Sequence, residues 1–439
     1  MSRKDTRLAT KSRRQAQTCK VYELKLVKNK LSKTTQKHLH TMFLEAKWLY
    51  NHIISTDDIL HFDTKVKEVP VLTPQGKEVR KLTCISAQMK QGIQGRAFNN
   101  ILALSAMKKK GLPTGKLKFK SRVHSIPLKQ HNGTHTINKE KGYIKLQGIK
   151  QKLHVRGLDQ LPDECEIAFG NLVKRDNDYY LLITTFVPKT EVSVPETSVG
   201  IDFGCNTQLT LSNGIKIEYQ VPISKRLRRL SRRIDKKVNG EIGKNRKSKN
   251  RYKLQVKRRK EHLRITNIKK DIKNKIVNAI VSNAKYVCFQ DENIHAWQAS
   301  NHGKKIQTTA IGGIMSDLKL KSHTPIQVDK FFPSTQLCPQ CNHKRKLSLS
   351  ERTYVCYECG YINDRDVKSA IMIEREGMKN STPVSGFAAN KHEVPVERRD
   401  IKLEERASNT IFETLSKISR VRVSKVSSLS QETSAFRQM

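Results

Sequence analysis

Four cysteines constrain this chain more than any other residues in it. Cys338 and Cys341 form one CxxC pair, Cys356 and Cys359 form another, and fourteen residues separate the pairs. A CxxC pair can sit on a tight knuckle and aim two sulfurs inward, so two knuckles together make a tetrahedral site of four thiolates. Soft ligands in that geometry favour zinc, and less often an iron–sulfur centre. Four protein ligands leave no coordination position open, so such a site staples a small fold and does not catalyse. The other cysteines, Cys19, Cys84, Cys165, Cys205 and Cys288, are scattered. They offer no disulfide framework and read as reduced residues, which fits a cytoplasmic protein.

Charge narrows the partners. The 439 residues include 85 Lys and Arg against 40 acids, a formal net charge of +45. Such an excess repels itself unless a polyanion neutralises it, and nucleic acid is the default choice. The excess peaks between residues 225 and 264, with 19 basic residues and three acids. Leu227, Leu230 and Ile234 mark one apolar helix face there, Leu254 and Leu263 another, and Asn239-Gly240 and Gly243 separate the two helices. This reads as a track for phosphate backbone, carried by Arg228, Arg229, Arg232, Arg233, Lys257, Arg258, Arg259 and Lys260. No stretch approaches 18 consecutive apolar residues, and the basic N-terminus has no apolar run behind it. A membrane partner and a secretory signal are therefore not expected.

Acids occur where a folded core should exclude them. Asp202 sits within a short hydrophobic strand, Ser198 to Phe203, between Gly200 and Gly204; a hairpin turn follows at Asn213-Gly214. A carboxylate there is costly unless it is paired or holds a metal. A second strand from Tyr286 ends in Asp291 and Glu292. Asp364 and Asp366 precede an apolar run, Val367 to Ile373, that suits a one-sided helix. Acids at that place serve as a helix cap or as metal ligands. Three carboxylates on separate elements of one α/β sheet are what a two-metal phosphodiester nuclease requires.

Read in order, the GIDFG strand around Asp202, the basic helices, the FFPST lead into CPQC…CYEC, and the DRDVKSA segment at 364–370 resemble the TnpB proteins of insertion sequences. These are RNA-guided nucleases related to the compact type V CRISPR effectors. The landmarks span roughly residues 20 to 375. The resemblance implies an α+β multidomain protein: an N-terminal wedge-like β-barrel with an inserted helical lobe, then a RuvC/RNase-H-like α/β domain with an inserted four-cysteine zinc ribbon. It implies two Mg2+ ions at the carboxylates, with Asp366 and not Asp364 as the third ligand, a structural Zn2+ at the cysteines, a guide RNA and a double-stranded DNA target. The protein would work as a monomer or homodimer on RNA.

Two positions depart from the family. Its register puts Gln290, a poor ligand, where a glutamate is usual, ahead of Asp291. At strand periodicity residues 290 and 292 face the same side, so Glu292 is the expected substitute; alternatively Glu292 caps a loop and the nuclease is impaired. Lys368 stands where the family often has asparagine, beside the site. Arg365 is placed to contact the scissile phosphate or to pair with Asp364.

The expected domain order follows. Residues 1–18 form a basic arm. Residues 19–33 and 111–190 form the barrel, with candidate strands at 19–27, 117–120, 143–146, 166–169 and 179–186. Between them, 34–110 form the helical lobe, with apolar stripes on 34–59 and 86–108. Residues 188–197 link to the nuclease domain, 196–334 and 363–375. The ribbon is 335–362, fed by a candidate strand at 328–332. Residues 376–439 read as a disordered tail with a weak helical pattern near 410–418. Three rivals to the nuclease stay open: an RNA-guided DNA-binding repressor without nuclease activity, a transposase on the same scaffold, and an RNA-associated zinc-ribbon protein.

Overall fold

The computed structural model describes residues 3–236, 248–379 and 401–426, apart from 57, 74, 177, 190–192, 302 and 349. The expected helix break at Asn239, Gly240 and Gly243 lies outside the described residues. The chain divides into two compact units, Met1–Glu191 and Val192–Met439.

The first unit opens with α1 (Arg3–Gln15) and β1 (Gln17–Leu26). An insertion follows: α2 (Lys33–Ile54), the hairpin β2 (Glu68–Thr73) and β3 (Gly76–Lys81), and α3 (Ala87–Lys109). Then come β4 (Ser125–Leu128), β5 (His135–Asn138), β6 (Tyr143–Leu146), β7 (Leu153–Arg156), β8 (Glu166–Arg175) and β9 (Asp178–Pro188). The strands order as β4-β8-β9-β1-β7-β6-β5. The sheet curls nearly closed. The His131 amide, in the segment joining the two edge strands, donates to the Ala168 carbonyl at an irregularity in β8, and His131 also bridges His135 in β5. Ser32 and Ser86 cap α2 and α3, each hydroxyl accepting from a backbone amide three residues on. The α2 stripe Leu39, Met42, Phe43, Ala46, Leu49, Tyr50 and Ile53 is buried throughout. Two expectations are corrected here. Residues 117–120 are not a strand; the Asn51 side chain binds both backbone polar groups of Lys120 instead. The insertion is also not purely helical, since β2 and β3 lie between its helices.

The second unit is built on β10 (Ser198–Phe203), β11 (Leu209–Leu211) and β12 (Ile215–Tyr219). The basic helices α4 (Lys225–Lys236) and α5 (Lys249–Val281) follow, then β13 (Tyr286–Gln290), α6 (Ile294–Ala299), α7 (Gly303–Gln307), α8 (Ile311–Lys321) and β14 (Thr324–Val328). The hairpin β15 (Thr353–Val355) and β16 (Ile362–Asp364) belongs to the cysteine ribbon and runs into α9 (Arg365–Lys379). Last come α10 (Ile401–Ser416) and β17 (Val421–Lys425). The mixed sheet has the order β14-β13-β10-β11-β12-β17: an antiparallel β10-β11-β12 meander with β13 and β14 added parallel to β10. This is the RuvC/RNase-H-like arrangement. Ile272, Ile276 and Ile280 of α5, four residues apart, pack into the same core as Ile201 and Phe289.

Residues 328–332 do not continue as a strand. The chain leaves β14 at Val328 and turns. The tail also departs from expectation. β17 pairs antiparallel with β12 from Ile215↔Lys425 to Tyr219↔Val421, and Ile411, Leu415 and Ile418 are buried in the sheet's core. Isolated, this polar segment has too little apolar surface to fold. Set against an open edge, its backbone completes a ladder. Residues 380–400 and 427–439 lie outside the described residues.

If β17 and α10 are part of the core, Leu415→Ala will cost about 2–5 kcal/mol, as buried Leu truncations do. Urea unfolding measures this, and a disordered tail would give no change.

Candidate active site and metal centre

Each cysteine pair forms the same turn. The Asn342 amide donates to the Cys338 carbonyl at 3.1 Å, and the Gly360 amide donates to the Cys356 carbonyl at 2.9 Å. Asn342 (φ 59°) and Gly360 (φ 73°) take the left-handed conformation that such a turn needs. Cys338 and Cys356 then donate their own amides to the carbonyls of His343 and Tyr361. The four sulfurs lie within 4.8 Å of one another, with Cys338–Cys359 and Cys341–Cys356 at 3.5 Å. A tetrahedral zinc with sulfurs at ~2.3 Å sets them ~3.8 Å apart, so the group fits such an ion. Burial opposes ionisation of Cys356, but the amides of Cys359 and Glu358 outweigh it and pull the thiol down to about 6.

The acids converge in a cleft of about 750 Å³. Asp202 reaches it from β10, Glu292 from just beyond β13, and Asp366 from the first turn of α9. Lys330, Lys346, Arg352 and Arg365 line it as well. Two glycines bring α9 down onto the sheet. A Cβ on Gly200 would lie 2.1 Å from the Ala370 carbonyl oxygen, and one on Gly377 would lie 2.7 Å from Cys288 Sγ. Asp364 turns away from the cleft. It caps α9 by accepting from the amides of Asp366 and Val367, and it pairs with Lys216 at 2.7 Å. Arg365 Nε stands 3.5 Å from Asp366, not on Asp364.

Asp202 keeps some surface on the cleft but lies deep in the protein. Burial, then the charges of Asp366 and Glu292, push its carboxyl up to about 8; Arg365 and Lys368 pull the other way. Burial, with Asp291 beside it, raises Glu292 too. Carboxyls crowded together and short of solvent are relieved by a bound cation. Among the described residues only the four cysteines gather three or more such ligand atoms within 4.8 Å, so the carboxylates surround the cleft more loosely. That is compatible with two ions standing about 4 Å apart.

Gln290 and Glu292 both line the cleft, while Asp291 is exposed. Both N–H groups and the oxygen of the Gln290 amide are engaged. Its nitrogen donates to the carbonyls of Asp329 (3.1 Å) and Phe332 (2.9 Å), and its oxygen accepts from the Ser334 hydroxyl at 3.0 Å. It is 5 % exposed and clamps the turn after β14. A carboxylate could not donate to either carbonyl. Lys368, fully buried, grips the same segment farther along: its ammonium donates to the carbonyls of Ser334 and Leu337, both at 2.9 Å, and lies 4.3 Å from the centre of the Tyr354 ring. Burial lowers it to about 8. Both clamps were missed from sequence, where these positions showed only as departures from a pattern.

The basic helices are amphipathic. Leu230 and Ile234 of α4 pack with Leu254 of α5 and Leu227 is buried too, while the opposite face of α4 lines a shallow cavity with Lys225, Arg228, Arg229, Arg232, Arg233 and Lys236. On α5, Lys257 and Lys260 are exposed, and Arg258 and Arg259 are partly buried.

Two outcomes follow for the metal-free protein. The folded Asp202 carboxyl keeps its proton to about pH 8 whereas the unfolded one loses it near 3.8, so this group lowers stability as pH rises across that window. Asp202→Asn will remove the slope and raise the melting temperature at pH 8 by at least ~2 °C, the shift that ~1 kcal/mol produces. Melting no higher than native would contradict this. Gln290→Glu will destabilise by about 1–3 kcal/mol, since two buried carbonyls lose their donor. Native-like melting would mean that the amide does not hold the turn.

Two family models match the chain: "Cas12f1-like, TNB domain" over residues 316–373 and "Probable transposase" over residues 178–294. A "Putative RNA-guided DNA endonuclease" of Streptomyces pristinaespiralis is 27% identical over 274 residues, 60% of this chain and 66% of its own length. "TnpB-like protein L79" of Acanthamoeba polyphaga mimivirus is 27% identical over 217 residues, 46% of this chain and 41% of its own. The chain thus spans less than two thirds of these relatives' length. Among solved structures, a chain of "Cryo-EM structure of the Cas12f1-sgRNA-target DNA complex" aligns with 82% of this chain and 99% of its own, at 12% identity and a TM-score of 0.40. No helix among the described residues is long and apolar enough to cross a membrane. The two models fall in order, one from the end of the first unit through β13 and the other over α8, the ribbon and the start of α9, so over these segments the chain is similar to TnpB- and Cas12f-like proteins.

Proposed function

We propose that this protein is an RNA-guided DNA endonuclease, encoded by or derived from a transposable element, that hydrolyses phosphodiester bonds in the cleft of Asp202, Glu292 and Asp366. One observation carries the reading. Three carboxylates from three elements face one cleft, and cations line its remaining wall. The similarity to a relative named as an RNA-guided DNA endonuclease supports it. Mg2+ at the carboxylates would activate water and stabilise the departing 3′ oxygen. Asp202, the deepest of the three, would hold the ions together with Glu292 and Asp366. Gln290 would hold none, because its amide is turned onto the segment after β14, bonded to Asp329, Phe332 and Ser334. Arg352 and Arg365 would offset the charge of the entering phosphate, and Lys330 would meet the strand at the rim. The four cysteines would hold zinc as a structural staple.

The arginines of α4 and the basic stretch of α5 would carry backbone phosphates of guide RNA or target DNA. Such contacts position a strand and make binding salt-dependent without reading sequence. Pairing with the guide would supply most of the specificity. A second reading, a guided DNA binder that does not cut, is favoured by one observation: the side chain in the family's glutamate position is committed to a turn.

The test uses the full chain purified with RNA copied from the DNA flanking its gene, and a guide-matched plasmid in Mg2+. Native protein should cleave. Glu292→Gln should lower cleavage by at least ~10²-fold, the scale on which lost transition-state charge stabilisation is felt, with guide binding unchanged. Guide-dependent binding without cleavage by either protein would move the chain to the binder class.

A further inference from the structure

The segment that leaves β14 is held far more firmly than an ordinary surface turn. The Phe331 amide donates to the Asp329 carboxylate at 2.7 Å, and the Phe332 amide donates to the Asp329 carbonyl at 3.1 Å. Gln290 binds the carbonyls of Asp329 and Phe332 from beneath, and the Asp291 amide donates to Val328. What this turn presents outward is apolar. Phe331 is 79 % exposed, whereas its neighbours Lys330 and Phe332 both line the acidic cleft. The Lys330 ammonium lies 4.6 Å from the centre of the Phe331 ring.

A phenyl ring in water gives up the burial that normally drives it inside. A flexible loop could fold such a ring back, but this turn is pinned by a buried amide that spends both of its N–H groups on the turn's carbonyls. The ring is therefore preorganised, and a ligand that covers it bears little ordering cost. Its place fixes the ligand class. The residues on either side of it line a cleft built for phosphodiesters, and a cation stands beside the ring.

We propose that the Asp329–Phe332 turn is a binding site for an unpaired nucleobase, with Phe331 as its stacking platform, Lys330 meeting the adjoining phosphate, and Gln290 as the positioning residue that keeps the turn in place. This rests on the reading of the cleft as a nucleic-acid site. A base in a duplex stacks on its neighbours on both faces, so the platform selects strands that are single at the point of entry. Stacking is indifferent to base identity, since every base has a π face. The platform thus adds affinity without sequence preference.

The test uses the full chain with its guide RNA and a fluorescent single-stranded DNA that has no complement in the guide and carries 2-aminopurine. Phe331→Ala should weaken binding by roughly 5- to 150-fold, the ratio that ~1–3 kcal/mol of stacking gives, with the melting temperature unchanged. Phe331→Trp should restore binding and quench the 2-aminopurine, which a merely structural role would not do. Equal affinity of native and Phe331→Ala, with guided cleavage intact in the native protein, overturns this inference alone. Weakening by alanine that tryptophan does not restore, with no quenching, also overturns it. Failure of the native protein both to bind the strand and to cleave guided DNA overturns it together with the nuclease reading.

Discussion

The cleft depends on how closely α9 lies on β10. Gly200 allows the helix backbone to touch the strand, and no residue with a Cβ could occupy its place without moving the helix. That contact brings Asp366, at the start of α9, to the same cleft as Asp202 on β10. Two residues on, it brings Lys368 to the segment that leads to Cys338, where the buried ammonium binds two backbone carbonyls. The cysteine ribbon and the carboxylate cleft are therefore not separate modules. They share α9, and a polar lock ties them together.

That lock gives a physical role to the two positions where the chain departs from the TnpB pattern it resembles. Lys368 and Gln290 approach the same stretch from opposite elements, α9 and β13, and between them satisfy four carbonyls from Asp329 to Leu337. Buried donors that meet buried acceptors fix a unique conformation, and losing one leaves an orphaned partner. Gln290 is a structural residue here, and Glu292, two residues along, presents a carboxylate to the same cleft.

Much of the site could be read from sequence because its signals are local. A CxxC pair is a turn by itself, an aspartate between glycines in a hydrophobic strand is costly without a partner, and isoleucines spaced by four declare a buried helix face. What could not be read came from distant parts of the chain. β17 becomes a strand only because β12 offers an open edge, so its short polar sequence carries almost no signal of its own. The turn at Asp329–Phe332 looked like a strand because two phenylalanines follow β14, and only the Gln290 clamp shows why the chain bends there. Asp364 and Asp366 are indistinguishable by composition; the resemblance singled out Asp366, and the physical reason is that Asp364 is spent on the helix cap and on Lys216.

The central claim is that Asp202, Glu292 and Asp366 hold divalent cations and Gln290 does not. Anomalous scattering from crystals of the guide-loaded protein soaked in Mn2+ tests it directly. Manganese peaks are expected within coordination distance of all three carboxylates, with the Gln290 amide still bound to Asp329, Phe332 and Ser334. Peaks that avoid Glu292, or a Gln290 side chain swung onto a metal, would contradict it.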